Sequence, residues 1–176
     1  LALRLAALHR DRIAGVASIS VMLELPAWQV WLARGLAELR RRPRWRGLIG
    51  HFPKRGVDVR SFVRAQQSPS LRVFPFAAIA ELGGLQHDLR ARLGHITAPL
   101  LLLHGRYDHT APPEHSERVA QAVASAQVRR VLLPRSFHIV GDDLDRAQVC
   151  REVVDFARAA DHWDAAQRFL RDTFGT

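Results

Sequence analysis

Apolar positions along this chain change period several times, and the changes divide it into three stretches: residues 1–21, 22–94 and 95–176. In the first, Leu1, Leu5 and Leu8 recur at helical spacing, with Leu3 and Ala7 covering much of the remaining circumference. That pattern predicts a buried helix over residues 1–9. A polar turn, His9 to Arg12, follows. Residues 13–19, with Val16 and Ile19 as their bulk, then predict a short buried strand. The middle stretch is punctuated by Pro26, Pro43, Pro53, Pro69 and Pro75. Trp28, Trp31 or Leu32, Leu36 and Leu39 stand on one helical face, and Pro43 ends that helix. Residues 51–67 are irregular, with Asp58 placed to cap a short helix over 59–65. Pro75 opens a helix from Phe76 to about Leu93, lined by Ile79, Leu82, Leu85, Leu89 and Leu93. The paired Gly83 and Gly84 are expected to weaken or bend its middle.

The third stretch returns to strands. Pro99 precedes an apolar run, residues 100–104, unbroken on both faces as a central parallel strand requires. Pro112, Pro113 and Glu114 start a helix with Val119, Ala122, Val123 and Ala126 inward, and residues 128–133 form the next strand. Asp145 and Gln148 stand at capping-box spacing, ahead of a helix expected to bury Ala147, Cys150, Val153, Val154 and Ala157. Trp163, Ala166, Phe169 and Leu170 predict one more amphipathic helix over 161–174. Strands alternating with helices give an α/β fold: three parallel strands flanked by helices, with the middle stretch as a helical lid inserted between two of them.

Composition narrows the reading. A chain of 176 residues that is 48% apolar can build one core and is not disordered. The net charge of +9 is almost wholly arginine, since Lys54 is the only lysine. The arginines are spread along the chain, apart from a cluster at residues 40–46, and read as solvated surface rather than a nucleic-acid footprint. The single cysteine, Cys150, excludes an internal disulfide and is expected to be inert and buried. No apolar run is long enough to span a membrane, and no signal peptide is visible, so a cytoplasmic location is expected. The chain begins at Leu1 rather than methionine, and inside what reads as a buried helix. Its true N-terminus is therefore expected upstream, and the strand at 13–19 is expected to show an open, aggregation-prone edge when the chain is expressed alone.

Two residues carry the chemistry. Asp108 follows the strand at 100–104 after a glycine turn, and His138 follows the strand at 128–133. In a parallel sheet, reactive groups collect at the carboxyl ends of strands. A carboxylate bonded to one imidazole nitrogen fixes the tautomer that leaves the other nitrogen able to take a proton. The order acid-then-base leaves a nucleophile to come first. His109 and Ile139, beside the pair, are expected at the mouth of a substrate pocket. Trp28, Trp31, Phe74 and Phe76 are expected either to line an acyl pocket or to pack the lid. Asp142, Asp143 and Asp145 read as helix N-terminal charges, with Asp142 the reserve acid. His104, His109 and His115 fit no metal-ligand spacing, so no metal is expected.

With Ala98, Pro99, Leu100 to Asp108, Pro112, and Ser136, Phe137, His138 and Asp145 in place, the chain resembles the carboxyl-terminal portion of α/β-hydrolases. It is most similar to carboxylesterases and monoacylglycerol-lipase-like enzymes of the serine aminopeptidase type. The resemblance implies a Ser-His-Asp mechanism without a cofactor, water as second substrate, and a small ester or lipid-like molecule as the first. It also implies a serine in a G-x-S-x-G turn. Ser18, Ser20, Ser61, Ser68, Ser70, Ser116, Ser125 and Ser136 all lack the flanking glycines. The elbow and the oxyanion hole are therefore expected ahead of Leu1, and this chain alone is expected to be inactive. Two other readings stay open: an amide or peptide-bond hydrolase of the same fold, and a noncatalytic ligand-binding relative. Oligomeric state is not readable.

Overall fold

The apolar run folds as the central strand β4, Leu100–Gly105, with every residue buried. In this computed structural model, which describes residues 1–45, 47, 50–54, 56–67, 73–159 and 171–172, β4 is flanked by two parallel neighbours. Strand β1, Val16–Ile19, pairs Val16 with Leu100 through Ile19 with Leu103. Strand β5, Val128–Leu133, pairs Val128 with Leu100 through Leu133 with Gly105. Side chains alternate across a strand, so the leucines of β4 serve two cores. Leu100 and Leu102 pack with Leu3, Ala6, Val16, Leu89, Ile96 and Val119 on one face. Leu101 and Leu103 pack with Leu133, Val140 and Val149 on the other. Each of these fully buried leucines contributes about 2 kcal/mol of transfer free energy, which makes β4 the best-anchored element of the sheet.

The helices sit where the periodicities place them, but several turn a different face inward. Helix α1, Ala2–Leu8, buries Leu3, Ala6 and Ala7 and leaves Leu1, Leu5 and Leu8 exposed. Both faces of α1 are apolar, so periodicity alone does not choose between them. The face bearing two alanines is the one that packs into the core. Helix α2, Ala27–Arg41, likewise buries Ala33, while Trp28 and Trp31 are 63% and 77% exposed.

The reason lies in helix α4, Phe76–Arg92. A Cβ on Gly83 would stand 2.5 Å from a methyl of Val30. Helix α4 runs unbroken through the glycine pair, and Gly83 lets the Val30–Ala33 face of α2 close directly onto it. The antiparallel ribbon of β2, His51–Pro53, and β3, Val73–Pro75, leads into α4, with Phe52 edge-on to buried Phe76 at 4.7 Å. Asp88 on α4 holds Arg4 of α1 at 2.6 Å and Arg92 at 2.7 Å, joining the two helices at the surface.

Three further expectations are corrected. Helix α3, Phe62–Gln67, begins three residues later than expected, and Asp58 does not cap it. Helix α5, Glu114–Ala122, turns His115, Ser116 and Val119 inward, leaves Ala122 exposed and ends before Ala126, which is exposed beyond it. Helix α6, Arg146–Arg158, packs through Val149, Val153 and Phe156, one stripe at i, i+4 and i+7. That stripe leaves Ala147, Cys150 and Val154 exposed, so Cys150 is a surface thiol. The helix expected over 161–174 lies outside the described residues except for 171–172. Among the described residues, no helix is long and apolar enough to cross a membrane.

The two adjacent glycines of α4 predict opposite responses to one added methyl. Alanine in a helix interior is favoured over glycine by about 1 kcal/mol. At Gly84 the nearest atom to a new Cβ is an Arg34 nitrogen at 3.7 Å, an ordinary contact, so Gly84→Ala is expected to stabilise by roughly 0.5–1 kcal/mol. At Gly83 the stiff, β-branched Val30 cannot yield, and Gly83→Ala is expected to cost a net ~1–2 kcal/mol. Urea unfolding of the two variants measures the difference; equal midpoints would contradict the close packing of α2 on α4.

Candidate active site

The site begins with a missing side chain. A Cβ on Gly105, the last residue of β4, would stand 2.0 Å from the carbonyl oxygen of Phe137. The loop leaving β5 therefore crosses directly over the end of β4, which only glycine permits. The β4 chain then turns sharply, with the Asp108 N–H donating to the Gly105 carbonyl at 3.3 Å and the Arg106 N–H to that of Leu133 at 2.9 Å. This crossing brings the expected acid and base together: His138 Nδ1 lies 2.8 Å from Asp108 Oδ2. The Asp108 side chain is fully buried, whereas that of His138 is 26% exposed. A carboxylate can only accept, so Nδ1 carries a proton and Nε2 is the nitrogen left to exchange one.

Asp108 has no unused acceptor capacity. Its Oδ1 accepts the backbone N–H groups of Thr110 at 2.9 Å and Ala111 at 2.7 Å. Its Oδ2 takes His138 and, at 3.1 Å, Nε2 of the wholly buried His104. Burial alone would raise the Asp108 pKa, but the hydrogen bonds from His104, His138 and Ala111 outweigh it and hold the carboxyl well below its usual range. The same His104 nitrogen lies 2.9 Å from the Ala111 carbonyl, and its buried Nδ1 has no partner among the described residues.

His138 is held from several sides. Ser20, at the end of β1 with a left-handed φ of 50°, donates its hydroxyl to the His138 carbonyl at 2.5 Å. Asp143 gathers four backbone N–H groups, from Arg60, Ser61, Phe137 and Leu144, at 2.8–3.0 Å. It thereby ties the start of α3 to the residue preceding His138. Asp145 braces the turn instead of closing a capping box: it accepts from the Arg135 N–H, the Arg135 guanidinium and the Ser136 hydroxyl. Desolvation opposes ionisation of Asp145, yet the bonds from Arg135 and Ser136 win and its pKa is lowered. Asp142 faces Arg64 at 3.4 Å, so the reserve acid is spent elsewhere.

The stretch between β1 and β4 reaches the same place through Asp58. Its carboxylate accepts the His109 N–H at 3.0 Å, His109 Nδ1 at 2.9 Å and the Thr110 hydroxyl at 2.8 Å. Its backbone carbonyl accepts the Ile139 N–H at 3.1 Å. One residue thus joins the loop after Asp108 to the loop after His138. The His109 ring also meets Phe137 edge-on at 4.4 Å.

A cavity of about 920 Å³ opens between α2, α4 and the loop after Asp108, with Leu25, Val30, Trp31, His109, Thr110 and His115 among its walls. Of the four expected pocket residues, His109 lines this cavity. Ile139 is half-buried beside His138, Trp28 is exposed on α2, and Phe76 is buried against Phe52. Among the described residues, no three His, Cys, Asp or Glu side chains form a metal-binding group.

Comparison with known proteins places this geometry. The family described as Hydrolase_4, serine aminopeptidase S33, matches residues 1–145. The thermostable monoacylglycerol lipase of Bacillus sp. strain H-257 is 27% identical over 148 residues, covering 84% of this chain and 54% of the lipase. The chain thus spans about half the length of this curated relative. A structure from work on LipS and LipT, two metagenome-derived lipolytic enzymes, superposes with a TM-score of 0.73 at 22% identity, over 89% of this chain and 59% of that one. The monoacylglycerol lipase of Paleococcus ferrophilus gives 0.72 at 21% identity, over 88% and 62%. These superpositions show a shared α/β-hydrolase fold.

Two stability predictions follow from the carboxylates. The folded pKa of Asp108 lies below its unfolded value of about 3.9. Its charge therefore contributes stability in full above about pH 5 and loses that contribution as pH falls through the folded value. In urea unfolding, the gap between the native protein and Asp108→Asn is expected to shrink as pH falls from about 5 toward 3; a gap unchanged over that range would contradict this. Separately, Asp143→Ala strands four N–H groups and is expected to cost about 3 kcal/mol. Asp142→Ala, which loses a partly exposed ion pair, is expected to cost less than about 1 kcal/mol.

Proposed function

The chain belongs to the Hydrolase_4 family, serine aminopeptidase S33, and on that premise we propose that it supplies the acid and the base of a Ser-His-Asp hydrolase acting on carboxylic esters. The observation that carries the proposal is the 2.8 Å contact of His138 Nδ1 with Asp108 Oδ2, at the carboxyl ends of adjacent parallel strands. In the proposed reaction His138 Nε2 takes the proton of a serine hydroxyl as that oxygen attacks the ester carbonyl. The resulting imidazolium is stabilised by Asp108, which stays ionised. The imidazolium then returns the proton to the departing alkoxide. Water, deprotonated by the same nitrogen, releases the acid product.

None of the eight serines in the chain stands in a G-x-S-x-G turn. Ser20 comes near His138 but donates its hydroxyl to the backbone carbonyl, not to the ring. The nucleophile is therefore proposed to come from residues outside these 176. Residues 22–94 are proposed to act as a helical lid, supported by the open cavity between α2, α4 and the loop after Asp108. Its walls mix Leu25, Val30 and Trp31, proposed to meet an acyl chain, with charged Glu24, Arg34 and Arg90. His109 and Thr110, next in sequence to Asp108, bring its rim beside the catalytic pair, which does not itself line it. Esters are favoured over amides because the relatives named above are lipases and lipolytic enzymes.

The test uses nitrophenyl esters of graded acyl length on protein extended through a glycine-flanked serine. Asp108→Asn and His138→Gln are each expected to lower kcat by about 10⁴-fold while leaving the fold intact. The 176-residue chain alone is expected to show no turnover above buffer. Unchanged kcat in both variants would overturn the assignment of acid and base.

A further inference from the structure

We infer that His104 is a positioning residue for this pair: its single Nε2–H, shared between the Ala111 carbonyl and Asp108 Oδ2, holds the carboxylate in line with His138 and draws off part of its negative charge. The inference rests on the reading of Asp108 and His138 as acid and base, and it assigns a role to a titratable side chain which that reading leaves unused.

His104 stands where an apolar residue would serve the sheet. The four residues before it on β4 are leucines, and its own side chain is fully buried. The surroundings of the ring fix its state. Nε2 lies 2.9 Å from the Ala111 carbonyl and 3.1 Å from Asp108 Oδ2, and both of these oxygens can only accept. Nε2 must therefore carry a proton. A second proton on Nδ1 would be a buried cationic donor with no partner among the described residues. His104 is accordingly neutral, with one tautomer.

The oxygen it approaches is the one that serves His138: Nε2, whose hydrogen bond goes to the Ala111 carbonyl, also lies 3.1 Å from Oδ2. Each donor to a carboxylate oxygen stabilises the anion and weakens its pull on the next proton. The second donor thus keeps Asp108 ionised in a buried place and moderates the basicity it confers on His138. By bonding Ala111 as well, His104 also locks the far side of the turn whose N–H groups hold Oδ1.

The other charged and titratable groups around the pair come from four places. They are His109 on the turn after Asp108, His115 on α5, Asp58 from the preceding stretch, and Asp143, which holds the Phe137 N–H.

Histidine ¹⁵N and ¹H NMR of the full chain reads the effect without requiring turnover. In His104→Leu, the low-field His138 Nδ1 proton is expected to be displaced, and in His104→Gln, whose side-chain amide can donate to Oδ2, to move back toward its native position. An unmoved Nδ1 resonance in His104→Leu would overturn the inference. Asp108→Asn is the control on the underlying reading: the low-field Nδ1 signal must be lost with the carboxylate, and its persistence sinks the acid–base pair itself. Should His104→Leu fail to fold, the native spectrum still decides: a His104 ring that carries its proton on Nδ1 would overturn the assignment.

Discussion

One buried carboxylate organises this half of the fold. Asp108 accepts donors from a strand end, a turn and a neighbouring loop, and leaves neither oxygen unoccupied. An ionised group can persist in a dry place only when its lone pairs are taken up. The arrangement therefore does two jobs with the same bonds. It closes the turn between β4 and α5, and it fixes the tautomer and direction of the imidazole across from it. The energy that makes the turn rigid is the energy that keeps the acid charged.

A second ring of carboxylates surrounds the first. Asp143, Asp145 and Asp58 each bind backbone amides of loops that carry no regular structure of their own. The His138 loop is thus built on side chains substituting for a hydrogen-bond ladder, which is how irregular backbone avoids stranding polar groups. Asp58 and Asp143 also fasten the stretch between β1 and β4 to the loops that carry Asp108 and His138. The reach of that stretch is set at residues 58–61, next to that pair, as well as at its helical ends.

Much of the architecture could be read from the chain because unbroken leucine leaves few choices. Residues 100–104 can only be a central strand, and an acid and a base after consecutive strands in a parallel sheet are driven to the same rim. What could not be read was which side of an amphipathic helix faces in. Tryptophan dominates the pattern of α2, yet Ala33 and Val30 make the contact, because Gly83 on the facing helix favours close approach over bulk. The aspartates misled for a related reason. Asp58 and Asp145 stand at local capping positions by spacing, but their partners lie on the loop after Asp108 and on the β5 turn. His104 carried a signal that went unused: a titratable ring closing an otherwise apolar run.

Gly105 has one more implication. The His138 loop rests on a bare α-carbon, and the turn that follows is shaped by backbone bonds, while Arg106 and Tyr107 project into solvent. Main chain sets the spacing between the two strand ends, and decoration of the rim is decoupled from it. Position 106 can be rewritten without moving the backbone, and position 107 at the cost of its contact with Arg60, whereas position 105 admits glycine alone.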